Sequence, residues 1–206
     1  MTEFFDFLKS GGPVMWPLLA CAIISVVVMI ERFFALGKAS SNNDELIAKV
    51  KDLLIAGKAD EALKVCEATS GPSAALLAGG IRNRHLDNDA IERAMEELAL
   101  RETPALYRRL TWLDTIITVA PLLGLLGTVT GMIKAFHVVG GPEGISAPTA
   151  ITSGVAEALY ATASGLAIAI VTLIGYNALS EKVKTIVADM EVRATQLLNI
   201  LASRKD

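Results

Sequence analysis

The chain has 206 residues, 52% of them hydrophobic and 20% charged, with a formal net charge of −3. A soluble domain of this size is roughly 45–50% apolar and about 25% charged, so the averages shift only modestly and the distribution decides. Eleven of the 19 Lys and Arg fall between Lys38 and Arg109, and long stretches elsewhere carry none. This excludes an evenly mixed soluble protein. The acidic balance and the lack of a basic stripe interleaved with aromatics exclude nucleic-acid binding, and the apolar content excludes disorder. A small membrane protein with one polar insert is left.

Residues 1–12 read as an N-terminal tail outside the membrane, which would be periplasmic in a bacterial inner membrane. Glu3, Asp6 and Lys9 do not make the basic start of a cleaved signal peptide, and no small-x-small cleavage site follows. Residues 13–36 are expected as a retained transmembrane helix. No charge lies between Val14 and Ile30, Pro13 starts the run, Glu31-Arg32 closes it, and Trp16 suits the interface.

Residues 37–111 are expected as a cytoplasmic helical domain. Asn42-Asn43-Asp44 offers caps before a face of Leu46, Val50, Leu53 and Leu54, and Gly57 ends that helix. Asp60 opens a second, and Ser70-Gly71-Pro72 breaks the chain before Ser73 caps a third. From Asp87 to Trp112 no glycine interrupts the helical pattern, so one helix, kinked at Pro104, is predicted to run straight into the next span.

Residues 112–136 are the second expected span, uncharged between Thr115 and Ile133, and 137–149 a Gly- and Pro-rich hairpin loop. The third span, 150–178, has one charge, Glu157. Residues 179–206 are expected to continue it as a cytoplasmic helix. No Gly or Pro occurs from Tyr176 onward, and Val183, Ile186, Met190, Leu197 and Leu201 share one face. The fold class is thus an all-α integral membrane protein, three transmembrane helices with long cytoplasmic helical extensions. Basic segments stay inside, which puts the N-terminus and the hairpin outside and the insert and C-terminus inside.

The chain offers little chemistry of its own. Cys21 and Cys66 lie in different compartments, and His85 and His137 lack metal-ligand spacing, so no disulfide, metal or cofactor is expected. No nucleophile–base pair or nucleotide motif is present, and an enzyme is not expected. A secondary transporter would show inverted repeats and broken helices; neither is seen. The second span carries a small-residue stripe, Pro121, Gly124, Thr128, Gly131 and Ala135, with Gly127 completing a GxxxG. The third has a small face including Gly154 and Gly165. Such faces let helices pack closely in lipid. Glu157 is expected to face a protein interior or pore, the alternative being a carboxylate near enough to the outer interface to reach water. Thr128 and Thr162 either bond their own backbone or line a pore.

The segment Ala120-Pro-Leu-Leu-Gly-Leu-Leu-Gly-Thr-Val-Thr-Gly-Met-Ile-Lys-Ala-Phe136 resembles the second-span signature of the ExbB/TolQ/MotA proton-channel family. The segment Ile151–Ile170, containing Glu157-Ala-Leu-Tyr-Ala-Thr162, with Tyr176-Asn177, resembles its third. Gly12 to Pro17 and Glu31-Arg32 fit its first, and three spans favour the ExbB or TolQ branches, ExbB most. Leu126 and Thr130 stand where relatives often have aromatics. The resemblance implies a ring, a pentamer around a dimer of an ExbD-like single-span partner that brings a membrane aspartate for protons. Thr128 and Thr162 would line the path beside that aspartate, and Glu157 matches the family's third-span glutamate. It further implies a subunit in the bacterial inner membrane whose proton flow drives a TonB-like protein and TonB-dependent transport across the outer membrane. The alternatives are a TolQ-like subunit of the Tol-Pal envelope system or a passive membrane scaffold.

Overall fold

The structure is a computed structural model that describes residues 10–40, 43–139 and 148–203. The tail before Ser10 and most of the 137–149 loop lie outside these residues, as does Asn42 of the expected cap. The described residues form seven helices and no strand: α1 Met15–Ser40, α2 Asn43–Ile55, α3 Ala59–Ala68, α4 Pro72–Arg82, α5 Asn88–Tyr107, α6 Leu110–Val139 and α7 Pro148–Ala202. They divide into two compact units, one drawn from Met1–Ile30 and Arg109–Ala178, the other from Glu31–Arg108 and Leu179–Asp206.

The first unit holds the membrane-crossing parts of α1, α6 and α7. Their most apolar 18-residue windows have mean hydropathies of 2.2, 2.0 and 1.9. At about 1.5 Å per residue, about 20 residues cross the roughly 30 Å hydrocarbon core, and α1 has 26, α6 30 and α7 55. The unit is built inside out relative to a soluble protein. Leu122, Leu125, Val129, Ile133 and Phe136 of α6 and Leu159, Leu166, Ile170 and Ile174 of α7 are exposed, as lipid-facing residues should be. Buried positions along the α6–α7 seam are instead small: Ala120, Gly124, Gly127, Gly131 and Ala135 against Gly154, Ala158, Ala161, Gly165 and Ala169. One larger cluster joins α1 to this hairpin: Val14, Met15 and Leu18 pack with Ile116, Ala120 and Ala169.

The second unit is an ordinary water-soluble helical core. Leu36, Leu54, Leu76, Leu77, Ile81, Ile91, Met95, Ile186, Met190 and Leu197 are fully or almost fully buried. The α7 face of Val183, Ile186, Met190, Leu197 and Leu201 is buried here. Gly80 of α4 lies against both Leu197 and Met95, so α4, α5 and α7 meet at a glycine. Helix α2 ends as expected at Gly57, whose φ is +82°. The Gly57 amide donates to Leu54 O at 3.0 Å and the Lys58 amide to Leu53 O at 2.9 Å. That reciprocal pair is a Schellman ending, which needs a left-handed residue where glycine alone is unstrained. Asp87 caps α5, its carboxylate accepting from the Ala90 amide at 3.2 Å.

Two expectations are corrected. Ser73 does not cap α4. Pro72 takes the first helical position, where its missing N–H costs nothing, and Gly71 becomes the cap residue. Ser73 is carried inside, its hydroxyl buried and without a hydrogen-bond partner among the described residues. Nor does the Asp87 helix run on into the second span. It continues through Pro104 but stops at Tyr107, where Arg108 is extended and Arg109 adopts a left-handed φ of 69°. A single left-handed residue reverses the backbone dihedral and ends the hydrogen-bond ladder. A new helix then starts at Leu110.

Candidate functional site

The membrane unit is organised by the antiparallel pairing of α6 with α7. A Cβ placed on Gly131 would lie 2.7 Å from Gly154 O, and one on Gly154 2.8 Å from Gly131 O. One on Gly124 would lie 3.1 Å from Thr162 Cα, while Gly127 abuts the Ala161 methyl and Gly165 the Ala120 carbonyl. The two backbones therefore touch where glycine permits it, the means by which helices associate in a solvent that gives no hydrophobic drive. Of the small residues expected on the packing face, Gly124, Gly127, Gly131, Gly154 and Gly165 are buried, and Pro121 and Thr128 stand beside the line, half-buried. Ala120 belongs to the line instead of Pro121.

The polar side chains take three levels along this hairpin. At the loop end, Lys134 Nζ of α6 donates to Glu157 Oε1 of α7 at 2.5 Å. The lysine side chain is 52% exposed and the glutamate 15%. The turn before α1 closes the other side: Gly12, with φ of +73°, passes so near that any Cβ there would overlap Glu157 Oε1. An unpaired charge at the centre of a span costs about 2.5–3.5 kcal/mol on insertion scales, and a paired one near an edge much less. Lys134 lowers the cost by reaching along the surface from the aqueous side. The glutamate thus faces its own chain's α6 and the α1 turn.

At the middle level, Thr162 Oγ1 donates to Gly124 O of the facing helix at 3.0 Å. Thr128, one turn along α6, donates to its own Leu125 O at 2.6 Å. Thr128 also lines a surface hollow with Val129, Met132, Ile133, Phe136 and His137. At the third level, Thr172 Oγ1 donates to Ile168 O at 2.7 Å, leaving its oxygen to accept from Ser25 Oγ of α1, also at 2.7 Å. Ser164 Oγ is buried with no hydrogen-bond partner among the described residues.

Lys134 and Ser25 were not singled out in the sequence. Both leave a signal there. Ser25 is the one hydroxyl residue between Val14 and Ile30. Lys134 and Glu157 stand within about two turns of the hairpin loop on either side of it, where an antiparallel pair brings long side chains within reach of each other. The described residues contain no cluster of three or more His, Cys, Asp or Glu that could hold a metal.

Comparison with known proteins gives the same family as the two span motifs. The sequence profile of the MotA/TolQ/ExbB proton channel family matches residues 68–192, which include α6 and most of α7. An ExbB-like biopolymer transport protein of Synechocystis sp. is 34% identical over 177 residues, 84% of this chain and 69% of that protein. The biopolymer transport protein ExbB of Neisseria meningitidis serogroup A is 28% identical over 96% of both chains. The Tol-Pal system protein TolQ of Haemophilus influenzae is 40% identical over a shorter stretch of 97 residues, 47% of this chain and 42% of that protein. With three membrane-length apolar helices, glycine-to-glycine packing of the last two, and a profile match over more than half its length, the chain belongs to the MotA/TolQ/ExbB proton channel family.

Proposed function

We propose that the protein is the channel-forming or stator subunit of an ExbB–ExbD-type motor in the bacterial inner membrane. It would use the proton motive force to energise TonB-dependent transport across the outer membrane. The observation that carries this reading is the α6–α7 hairpin. It matches the family over both signature spans and brings Thr128, Thr162 and Glu157 along one pair of helices. Proton transfer along a membrane path needs a titratable group, and Glu157 is the one carboxylate in the three spans apart from Glu31 and Asp114, which lie near their expected cytoplasmic ends. The working carboxylate is therefore assigned to a single-span, ExbD-like partner that brings a membrane aspartate. Several copies of this chain, five by analogy with the family, would surround it. The chain moves ions and transmits work, and does no enzymatic chemistry. The segregation of Lys and Arg supports an outside N-terminus and hairpin and an inside C-terminus.

The local 40% identity to a TolQ favours one second reading, in which the same motor serves the Tol-Pal envelope system. Co-expression with a single-span aspartate partner, followed by proton-flux measurement, tests the motor. Flux is expected in the wild type and strongly reduced in Thr162→Val and Glu157→Ala. If neither substitution alters flux or transport, the chain is a passive scaffold.

A further inference from the structure

We infer that Lys134 is a positioning residue for this motor, and that Glu157 acts as its ion-pair partner in a clasp rather than as a proton carrier. The inference rests on the motor reading and deepens it. Three elements meet at the carboxylate: Lys134 from α6, Glu157 from α7 and the Gly12 turn that leads into α1. Each is specialised for the meeting. Lys134 is the one Lys or Arg between Arg109 and Lys182. Glu157 is the one acidic residue between Asp114 and Glu181, apart from Glu143, which lies outside the described residues. Gly12 combines a left-handed φ of +73° with the absence of a Cβ where the carboxylate passes.

The geometry favours a clasp over a relay. One Glu157 oxygen already accepts from the Lys134 ammonium. The nearest motif threonines do not extend a chain from it. Thr162 spends its proton on Gly124 O and Thr128 on Leu125 O, both backbone carbonyls. The glycine contacts between α6 and α7 are tight but non-directional, and the directional contacts across that seam include the Thr162–Gly124 hydrogen bond and this ion pair. A short ion pair fixes register and depth, and the fit of Gly12 over the same carboxylate ties α1 to that register. The pair thus sets where Thr128 and Thr162 stand without touching a proton in transit.

The two roles separate in double variants. The full chain is purified with its co-expressed partner, and proton flux in liposomes and melting in detergent are both measured. Lys134→Met and Glu157→Gln each leave one unpaired partner and are expected to lower flux by about tenfold and to reduce the melting temperature. The neutral pair Lys134→Met with Glu157→Gln, and the reversed pair Lys134→Glu with Glu157→Lys, are expected to regain most of both. Lys134→Arg, which keeps the charge, is expected to stay within about threefold of wild type. A proton carrier cannot be replaced by glutamine. The clasp is overturned if both double variants melt like wild type but pass no protons. It is also overturned if melting shows no coupling between positions 134 and 157. A wild-type complex that passes no protons refutes the motor reading instead, and the melting cycle still decides whether the clasp exists.

Discussion

The two units solve the same packing problem with opposite residues. The soluble unit fills its interior with Leu, Ile and Met, and the membrane unit lines its α6–α7 seam with Gly and Ala while turning many of its Leu, Ile and Phe outward. The difference is the solvent. Water drives large apolar groups inward, at about 25 cal/mol per Å² buried. Lipid is as apolar as leucine and gives no such drive, so close backbone contact and a few hydrogen bonds hold the helices. Along the α6–α7 seam a small residue therefore marks the interior, where in the soluble unit a leucine does.

The largest expected effect tests that reversal directly. Leu77→Ala in α4 empties a fully buried site and is expected to cost about 2–5 kcal/mol. Leu166→Ala in α7, where the leucine faces outward, is expected to stay within about 0.5 kcal/mol. Thermal melting of the detergent-solubilised chain checks both, and equal losses would break the comparison. Next comes Gly131→Val. It drives methyls into the Gly154 carbonyl and Ala158 and should cost about 1–3 kcal/mol by the same measurement.

Ser25→Ala removes one buried hydrogen bond to Thr172, worth about 0.6 kcal/mol by the average for such bonds in membranes. In the soluble unit, burial pushes the Cys66 thiol up from an ordinary 9.0 to about 11, with the nearby Glu67 charge adding to it. A raised thiol favours the folded state below its unfolded value, and that contribution fades as pH climbs from about 9 through about 11. Alkylation of Cys66 at pH 8 is expected to be slow, and the alkaline loss of stability smaller in Cys66→Ala than in wild type. Asp44→Ala, which removes a fully exposed carboxylate from Arg193, is expected to leave the melting temperature unchanged.

Much of the fold was legible because the signals were long. Seventeen or more residues without charge, or a 3.6-residue apolar period kept up over many turns, outweigh local ambiguity. The Gly57 stop and the Asp87 cap were legible because each residue type has one dominant reason to stand there. Short-range choices were not. Nothing marks Arg108-Arg109 as a break, since neither residue is Gly or Pro and the apolar pattern continues on both sides. Ser73 lost the capping role to a neighbour, because Pro72 had the stronger claim on the first turn. At the site, Gly124, Gly131 and Glu157 were visible as residue types out of place in an apolar span. Lys134 was not, because a lysine at the end of a span looks like an ordinary flank until the hairpin is folded and brings Glu157 opposite.

The break at Arg109 has a consequence for how the helices open and close. Helix formation is cooperative along an unbroken ladder, with a costly first turn and inexpensive extension. One left-handed residue interrupts that ladder, so α5 and α6 are two cooperative stretches with separate nuclei. Fraying that begins in one has to nucleate anew to enter the other. Amide exchange is therefore expected to change in a step between Tyr107 and Leu110, and Arg109→Ala, which favours an uninterrupted helix, to blur that step into a gradient.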